Sequence, residues 1–329
     1  MKLKTTKILV LLTLIMQFTN LSAQVKNSET TTAVISVSPI VIAAPERGED
    51  IQLRVSAPVI GKKLPIIIFA HGYGSSMNAY DPLVNYWASN GFVVIQPTFL
   101  DSKTLGITPQ DSRTPNIWRF RVEDIKRILD QLDLIEKNVT ELKGRLDKTR
   151  IAAVGHSYGA QTVGMLLGAR VIGTDGILGE DMSDSRIKAG ILLSAAGNGG
   201  KDLTLFAATN FPFMNPSFEQ MTKPTLIIAG DKDKSMLSTR GADWFTDAYT
   251  MSSKNKSLVT LFGAEHLLGG ISGYNVKETT DENPERVAVV QELTLAYLQS
   301  ALYTEKQAWS GTSNKLMGST STNGKVESK

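Results

Sequence analysis

The residues best suited to chemistry form the pentapeptide Gly155-His156-Ser157-Tyr158-Gly159. They follow a short apolar run at residues 151–154 and precede a segment with the pattern of a helix. A buried strand, a tight Gly-x-Ser-x-Gly turn and a helix are typical of a serine in a strained backbone conformation, with its hydroxyl lifted above a sheet. Because Gly and Ser are common residues, the pentapeptide alone is a weak indication, and other residues must support it.

A serine hydroxyl is a poor nucleophile near neutral pH, so it needs a base to take its proton. The chain has three histidines. His266 directly follows a predicted strand at residues 257–262, and we expect it to be the base; the alternative is a structural histidine. We expect His71 to matter through its backbone, because a glycine follows it, and His156 to point away from the base.

The base in turn needs an orienting carboxylate. Asp231 and Asp233 follow a predicted strand at residues 224–229. Asp233 is far enough past the strand to turn back toward His266, whereas Asp231 is better placed to cap the turn. We therefore favour Asp233 over Asp231. The resulting order Ser157, Asp233, His266 is the one expected where a serine turn of this kind sits on an open parallel sheet.

Developing negative charge on a substrate needs two backbone N–H groups aimed at it, an oxyanion hole. Tyr158, directly after the serine, can supply one. The glycine-containing loop at residues 71–76 follows another predicted strand and can supply the second from Tyr73. The alternative is that this loop is a plain glycine-rich turn.

Composition narrows the classes of function. The chain has 329 residues, of which 42% are hydrophobic and 20% charged, so a sizeable core is expected. A net charge of +3 gives no indication of nucleic-acid binding. The sequence has no cysteine, which excludes thiolate zinc sites and thiol nucleophiles, and so few histidines argue against a His-rich metal site.

The two ends of the chain differ in pattern from the middle. Residues 1–23 have lysines, a short apolar stretch and a small residue before Gln24, as a cleavable secretory leader does. We expect cleavage after Ala23 and a secreted or periplasmic protein; an uncleaved anchor is the alternative. We expect residues 24–45 to form a polar segment, residues 46–305 to form the domain that carries the candidate site, and residues 306–329 to form a disordered polar tail.

Between the ends, apolar strands alternate with amphipathic helices. This alternation predicts an α/β fold, in which a parallel sheet carries helices on both faces. The predicted strands are 51–55, 64–70, 92–95, 151–154, 189–193, 224–229 and 257–262, and the main helices are 80–89, 118–136, 158–169 and 284–303.

With these residues placed, the chain resembles the α/β-hydrolase superfamily. Within it, the chain is similar to the group of secreted chlorophyllases, dienelactone-hydrolase-like enzymes and cutinase-type polyester hydrolases. The resemblance runs from about Leu64 to His266. It rests on five segments: His71-Gly72-Tyr73-Gly74, residues 88–94, residues 155–159, residues 224–229 with Asp233, and Gly263-Ala264-Glu265-His266.

The resemblance implies a mostly parallel, eight-stranded sheet and hydrolysis of carboxylic esters through an acyl-serine, without cofactor or metal. In the cutinase-type members, a tyrosine at the position of Tyr73 lines the acyl site and donates its N–H. Three features depart from the group. Ser157 stands where dienelactone hydrolases have cysteine, disulfides cannot form, and residues 100–118 and 197–220 match no member.

Aromatic residues in or near the unmatched stretches are candidates for contact with substrate: Trp118, Phe211, Phe213 and Trp244. The alternative is that they pack the core or the loops. Arg119 and Arg121 are expected to pair with Glu123 or Asp124.

The expected partner is a small or polymeric ester, bound by a monomer that neither binds nucleic acid nor inserts in a membrane once the leader is removed. The alternatives are a lipase, thioesterase, peptidase or acyltransferase with the same triad, or a non-catalytic binding protein on this fold.

Overall fold

A central sheet organises the structure, a computed structural model that describes residues 32–273, 280–303, 307–318 and 323–329. In these residues the sheet has nine strands, in the order β1-β2-β4-β3-β5-β7-β9-β10-β11. Its strands are β1 (Val34–Ile42), β2 (Ile51–Pro58), β3 (Leu64–Ala70), β4 (Val93–Pro97), β5 (Leu146–His156), β7 (Ile187–Leu193), β9 (Thr225–Gly230), β10 (Lys256–Leu261) and β11 (Gly324–Ser328). The short strands β6 (Arg170–Val171) and β8 (Pro216–Ser217) pair separately.

The six inner strands, from β4 to β10, run parallel to one another, and β1, β2 and β11 are antiparallel to their neighbours. The inner strands are apolar at nearly every position because both faces are covered. In β3, for example, Ile66 and Ile68 face one core while Ile67 and Phe69 face the other.

Helices cover the two faces. Apolar residues of α2 and α4 contribute to the core on one face, and those of α1 and α7 contribute to the core on the other. The helices are α1 (Asp81–Ser89), α2 (Ile117–Asp130), α3 (Leu132–Asn138), α4 (Tyr158–Leu166), α5 (Leu205–Asn210), α6 (Asp247–Thr250), α7 (Pro284–Leu302) and α8 (Ala308–Gly318). Short 3-10 helices lie at Pro45–Arg47, Lys103–Leu105, Thr114–Asn116, Thr140–Leu142, Gly200–Asp202 and Ala242–Thr246.

The mostly parallel sheet is confirmed, but three details of the prediction are wrong. The sheet has nine strands rather than eight, because β11 pairs with β10. The domain extends beyond residues 46–305, because β1 in the polar segment pairs with β2. The predicted helix 118–136 is divided at Gln131 into α2 and α3.

The tail predicted to be disordered contains α8 and β11. Its few apolar residues attach it to helix α7 and to the sheet. Trp309 packs edge-on against Tyr297 at 5.4 Å between ring centroids, and Val326 is buried. The predicted leader lies outside the described residues. None of the helices in the described part of the chain is both long enough and apolar enough to cross a membrane.

Candidate active site

Ser157 occupies the sharp turn between β5 and α4. Its φ of 53° and ψ of −119° are strained for a non-glycine residue. The Ser157 N–H donates to the Leu193 carbonyl at 2.9 Å, which fixes the turn to the neighbouring strand. The flanking glycines are required by space: a Cβ on Gly155 would lie 2.2 Å from the Gly159 oxygen, and one on Gly159 would lie 2.0 Å from the Ala70 oxygen. Steric constraints therefore explain why both flanking positions of the pentapeptide are glycine.

Three side chains far apart in sequence form a hydrogen-bonded series at this turn. Ser157 Oγ lies 2.8 Å from His266 Nε2. His266 Nδ1 lies 3.0 Å from each carboxylate oxygen of Asp233. Because a carboxylate accepts, it selects the imidazole tautomer with its proton on Nδ1, which leaves Nε2 free to accept the serine proton.

The two candidate aspartates are placed differently. The side chain of Asp233 is 0% exposed and faces His266, whose own side chain is 36% exposed. Asp231 instead accepts a hydrogen bond from the Gly263 N–H at 2.7 Å and caps the loop that carries His266. The structure thus brings Asp233, and not Asp231, to the histidine. The catalytic roles stay predictions.

The loop that carries His266 is fixed from the side of α7. The N–H groups of Glu265 and Gly269 donate to one oxygen of Asp281, at 2.9 and 3.1 Å. Arg286, in the first turn of α7, contacts that same oxygen at 2.9 Å. Asp281 therefore ties both sides of His266 to the helix.

The two predicted oxyanion donors lie at the same edge of the sheet. Tyr158 is the first residue of α4, so its N–H has no partner within the helix. No described residue accepts a hydrogen bond from the Tyr73 N–H, and the Tyr73 side chain is 63% exposed. Their use as an oxyanion hole stays a prediction.

A buried ion pair behind the loop at residues 71–76 leaves no signal in the sequence pattern. Arg121, on α2, is wholly buried and donates to Asp101 at 2.6 Å and to the carbonyl of His71. Asp101 also accepts from the Gly74 N–H at 3.0 Å. The pair holds both sides of Tyr73. The Arg121 guanidinium lies over the Tyr158 ring at 4.5 Å, so it supports both predicted donors.

The expected pairing of the helix arginines is therefore wrong. Arg121 pairs with Asp101, Arg119 pairs with Glu180, and Asp124 pairs with Arg47. The partners come from other elements, so local spacing along α2 carried no signal for them.

The other two histidines are buried and neutral. Burial lowers the pKa of His71 to about 4, and its Nε2 accepts from the Phe99 N–H at 3.1 Å. Burial lowers the pKa of His156 to about 3. The expectation that His156 points away from the base is wrong, because its ring lies 5.1 Å from the ring of His266 and its Nε2 is 2.8 Å from the His266 carbonyl oxygen.

A cleft of about 770 Å³ opens beside the predicted oxyanion donors, Tyr73 and Tyr158. Trp118, Phe211 and Phe213 all line it, and their contact with a substrate stays a prediction. Phe213 stacks between Trp118 and Tyr158, with ring centroids 5.9 and 5.8 Å away. Stacking holds these rings in one continuous aromatic wall.

The cleft has almost no charged side chains in its lining, and Trp244 does not line it. Of its lining residues only Asp101 carries a carboxylate, none carries a basic group, and Asp101 is paired with Arg121. Trp244 is buried, and its indole N–H donates to the Asn198 carbonyl at 2.8 Å. Its prediction as a substrate contact is wrong, because it packs the core. Within the described residues, no group of three acidic or histidine side chains is arranged to hold a metal ion.

Comparison with known proteins agrees with this architecture. A model of the Chlorophyllase family matches residues 22–172, which include the loop at 71–76 and the serine turn and end before Asp233. The chain has the α/β-hydrolase fold. Platelet-activating factor acetylhydrolase from Cavia porcellus is 25% identical over 138 residues, 31% of this chain and 31% of that protein. The chain thus matches about a third of that relative's length, and it resembles serine hydrolases of this fold.

Proposed function

We propose that the protein is a secreted serine carboxylic-ester hydrolase that works through an acyl-serine intermediate. The observation that carries the proposal is the hydrogen-bonded series Ser157, His266 and Asp233 on a strained turn. The Chlorophyllase match and the similarity to an acetylhydrolase support an ester as the substrate. The leader-like pattern of residues 1–23 supports secretion.

The geometry suggests the order of steps. His266 Nε2 takes the proton of Ser157 as Oγ attacks the ester carbonyl carbon, and Asp233 stabilises the imidazolium. The oxyanion is stabilised by the N–H groups of Tyr73 and Tyr158. His266 then gives the proton to the leaving alkoxide, which departs as the alcohol. A water molecule, activated by the same histidine, hydrolyses the acyl-serine and restores Ser157.

The cleft suggests which esters fit. Its wall is aromatic, and its one acidic residue is already paired, so an uncharged apolar or aromatic group is favoured over a charged one. Trp118, Phe211 and Phe213 would contact the acyl or alcohol part of the substrate. Aromatic polyesters are a second candidate substrate, favoured by this wall and by the exposed ring of Tyr73.

The first test is covalent labelling. A fluorophosphonate probe should label the wild-type protein, and Ser157→Ala should abolish labelling, because the probe traps an activated serine. Ser185→Ala, at an exposed serine outside the site, is the matched control and should label normally. Labelling that persists in Ser157→Ala would overturn the assignment of the nucleophile.

Turnover of p-nitrophenyl esters tests the reaction, and a chain-length series with a polyester film beside it tests the substrate class. We expect kcat/KM to rise from acetate to longer or aromatic acyl groups. Hydrolysis of acetate alone would contradict the role of the cleft, and labelling without any turnover would point to a binding protein.

A further inference from the structure

A buried polar series connects three loops of the site. The Gly72 N–H is 3.0 Å from Tyr80 Oη, which is 2.9 Å from His156 Nδ1. His156 Nε2 is 2.8 Å from the carbonyl oxygen of His266. Gly72 belongs to the loop of the predicted oxyanion donor Tyr73, His156 precedes the serine, and His266 is the predicted base. One series thus links the loop of Tyr73, the serine turn and the main chain of His266.

The direction of each hydrogen bond follows from donor and acceptor types. The His266 carbonyl only accepts, so His156 Nε2 carries a proton. A buried, neutral imidazole then has Nδ1 as an acceptor, so the Tyr80 hydroxyl donates to it. The Gly72 N–H only donates, so it donates to the Tyr80 oxygen. Every link is satisfied without a buried charge.

Two further observations indicate that the residues of this series are tightly packed and held in fixed positions. A Cβ on Gly72 would lie 3.0 Å from Tyr80 Oη and 3.2 Å from His156 Nδ1, so only glycine fits comfortably. Tyr80 itself has a φ of 68°, a left-handed backbone conformation that is strained for a bulky residue. Its N–H donates to the Ser272 carbonyl at 2.9 Å, which fixes the strained residue in place.

We propose that Tyr80 and His156 are positioning residues, which set the backbone of His266 and the loop after Gly72 relative to Ser157. Asp233 fixes the imidazole of His266 from one side, and His156 fixes its main chain from the other. A misplacement of about 1 Å in such a site can cost about 100-fold in rate, so hydrogen bonds that hold the parts together affect turnover. This inference rests on the proposed esterase activity.

Two kinds of variant test the series. Tyr80→Phe removes one hydroxyl, which is both the acceptor for Gly72 and the donor to His156. His156→Leu removes both ring contacts, whereas His156→Gln keeps an N–H that can reach the His266 carbonyl. We expect kcat to fall about 10- to 100-fold in Tyr80→Phe and His156→Leu with KM changed less than about twofold, and His156→Gln to recover part of the loss. Tyr86→Phe, in the helix α1 that directly follows Tyr80, is the matched control and should keep wild-type kcat.

The readouts separate the possible failures. Fluorophosphonate titration gives the concentration of competent sites, so kcat is expressed per folded enzyme. A wild-type protein that neither labels nor hydrolyses esters would refute the proposed function itself. Active wild type with unchanged kcat per site in Tyr80→Phe and His156→Leu would overturn the positioning role. So would losses explained entirely by fewer competent sites, or an equal loss in His156→Leu and His156→Gln.

Discussion

Residues of one type serve different purposes in this site because their surroundings differ. Asp233 is buried and faces an imidazole N–H, whereas Asp231, two residues earlier, caps a loop through the Gly263 N–H. His266 is partly exposed beside Ser157, whereas His71 and His156 are buried and act through hydrogen bonds to the backbone. Chemistry is therefore assigned by partner and burial rather than by residue type.

The difference between the aspartates predicts the effect of removing each charge. Asp233→Asn should lower kcat about 10³- to 10⁴-fold, because the amide no longer selects the tautomer with Nδ1 protonated or stabilises the imidazolium. Asp231→Asn keeps an oxygen for the Gly263 N–H and should lose little activity. Steady-state kinetics on a p-nitrophenyl ester checks both. A larger loss in Asp231→Asn than in Asp233→Asn would contradict the assignment.

Among the strands, helices and turns, the sequence predicts best those features that a local residue pattern determines. The buried strands, the serine turn and the order Ser157, Asp233, His266 follow from apolar runs and glycines that sterics require. The Arg121–Asp101 pair could not be predicted, because its partners lie on different elements and no spacing links them. The order of the tail could not be predicted either, because only two apolar residues, Trp309 and Val326, attach this mostly polar segment.

The attachment of β11 predicts what its removal does. Deleting residues 319–329 leaves β10 as an unpaired edge and exposes apolar surface that Val326 covers, so we expect a loss of at least about 1.5 kcal/mol in the free energy of unfolding. Val326→Asp should also lower the free energy of unfolding, whereas Lys325→Ala, at an exposed residue of the same strand, should leave it unchanged. Thermal and urea denaturation measure the change. Equal stability of the truncated and full chains would show that β11 contributes nothing to the domain.

Across the whole molecule, the parallel strands bring the residues of the candidate site to one edge of the sheet. Tyr73 follows β3, Ser157 follows β5, Asp233 follows β9 and His266 follows β10, so all four lie at the carboxyl edge of one sheet. The serine and the histidine are 109 residues apart in sequence and 2.8 Å apart in space. The same packing of strands and loops buries His71 and His156.

Burial of His71 and His156 predicts that acid destabilises the fold. Their pKa values are lowered to about 4 and about 3, whereas the pKa of a histidine in the unfolded chain is about 6.5. Between those values the unfolded chain binds more protons than the native chain, so the stability they contribute is present above about pH 6.5 and is lost as pH falls. Each adds up to about 1.4 kcal/mol per pH unit to the slope of the free energy of unfolding against pH.

Urea denaturation between pH 6.5 and 5 measures this slope. It should be smaller by about one proton in His156→Gln than in the wild type, and Tyr86→Phe should keep the wild-type slope. Identical slopes in the wild type and His156→Gln would mean that His156 is not held neutral by the fold.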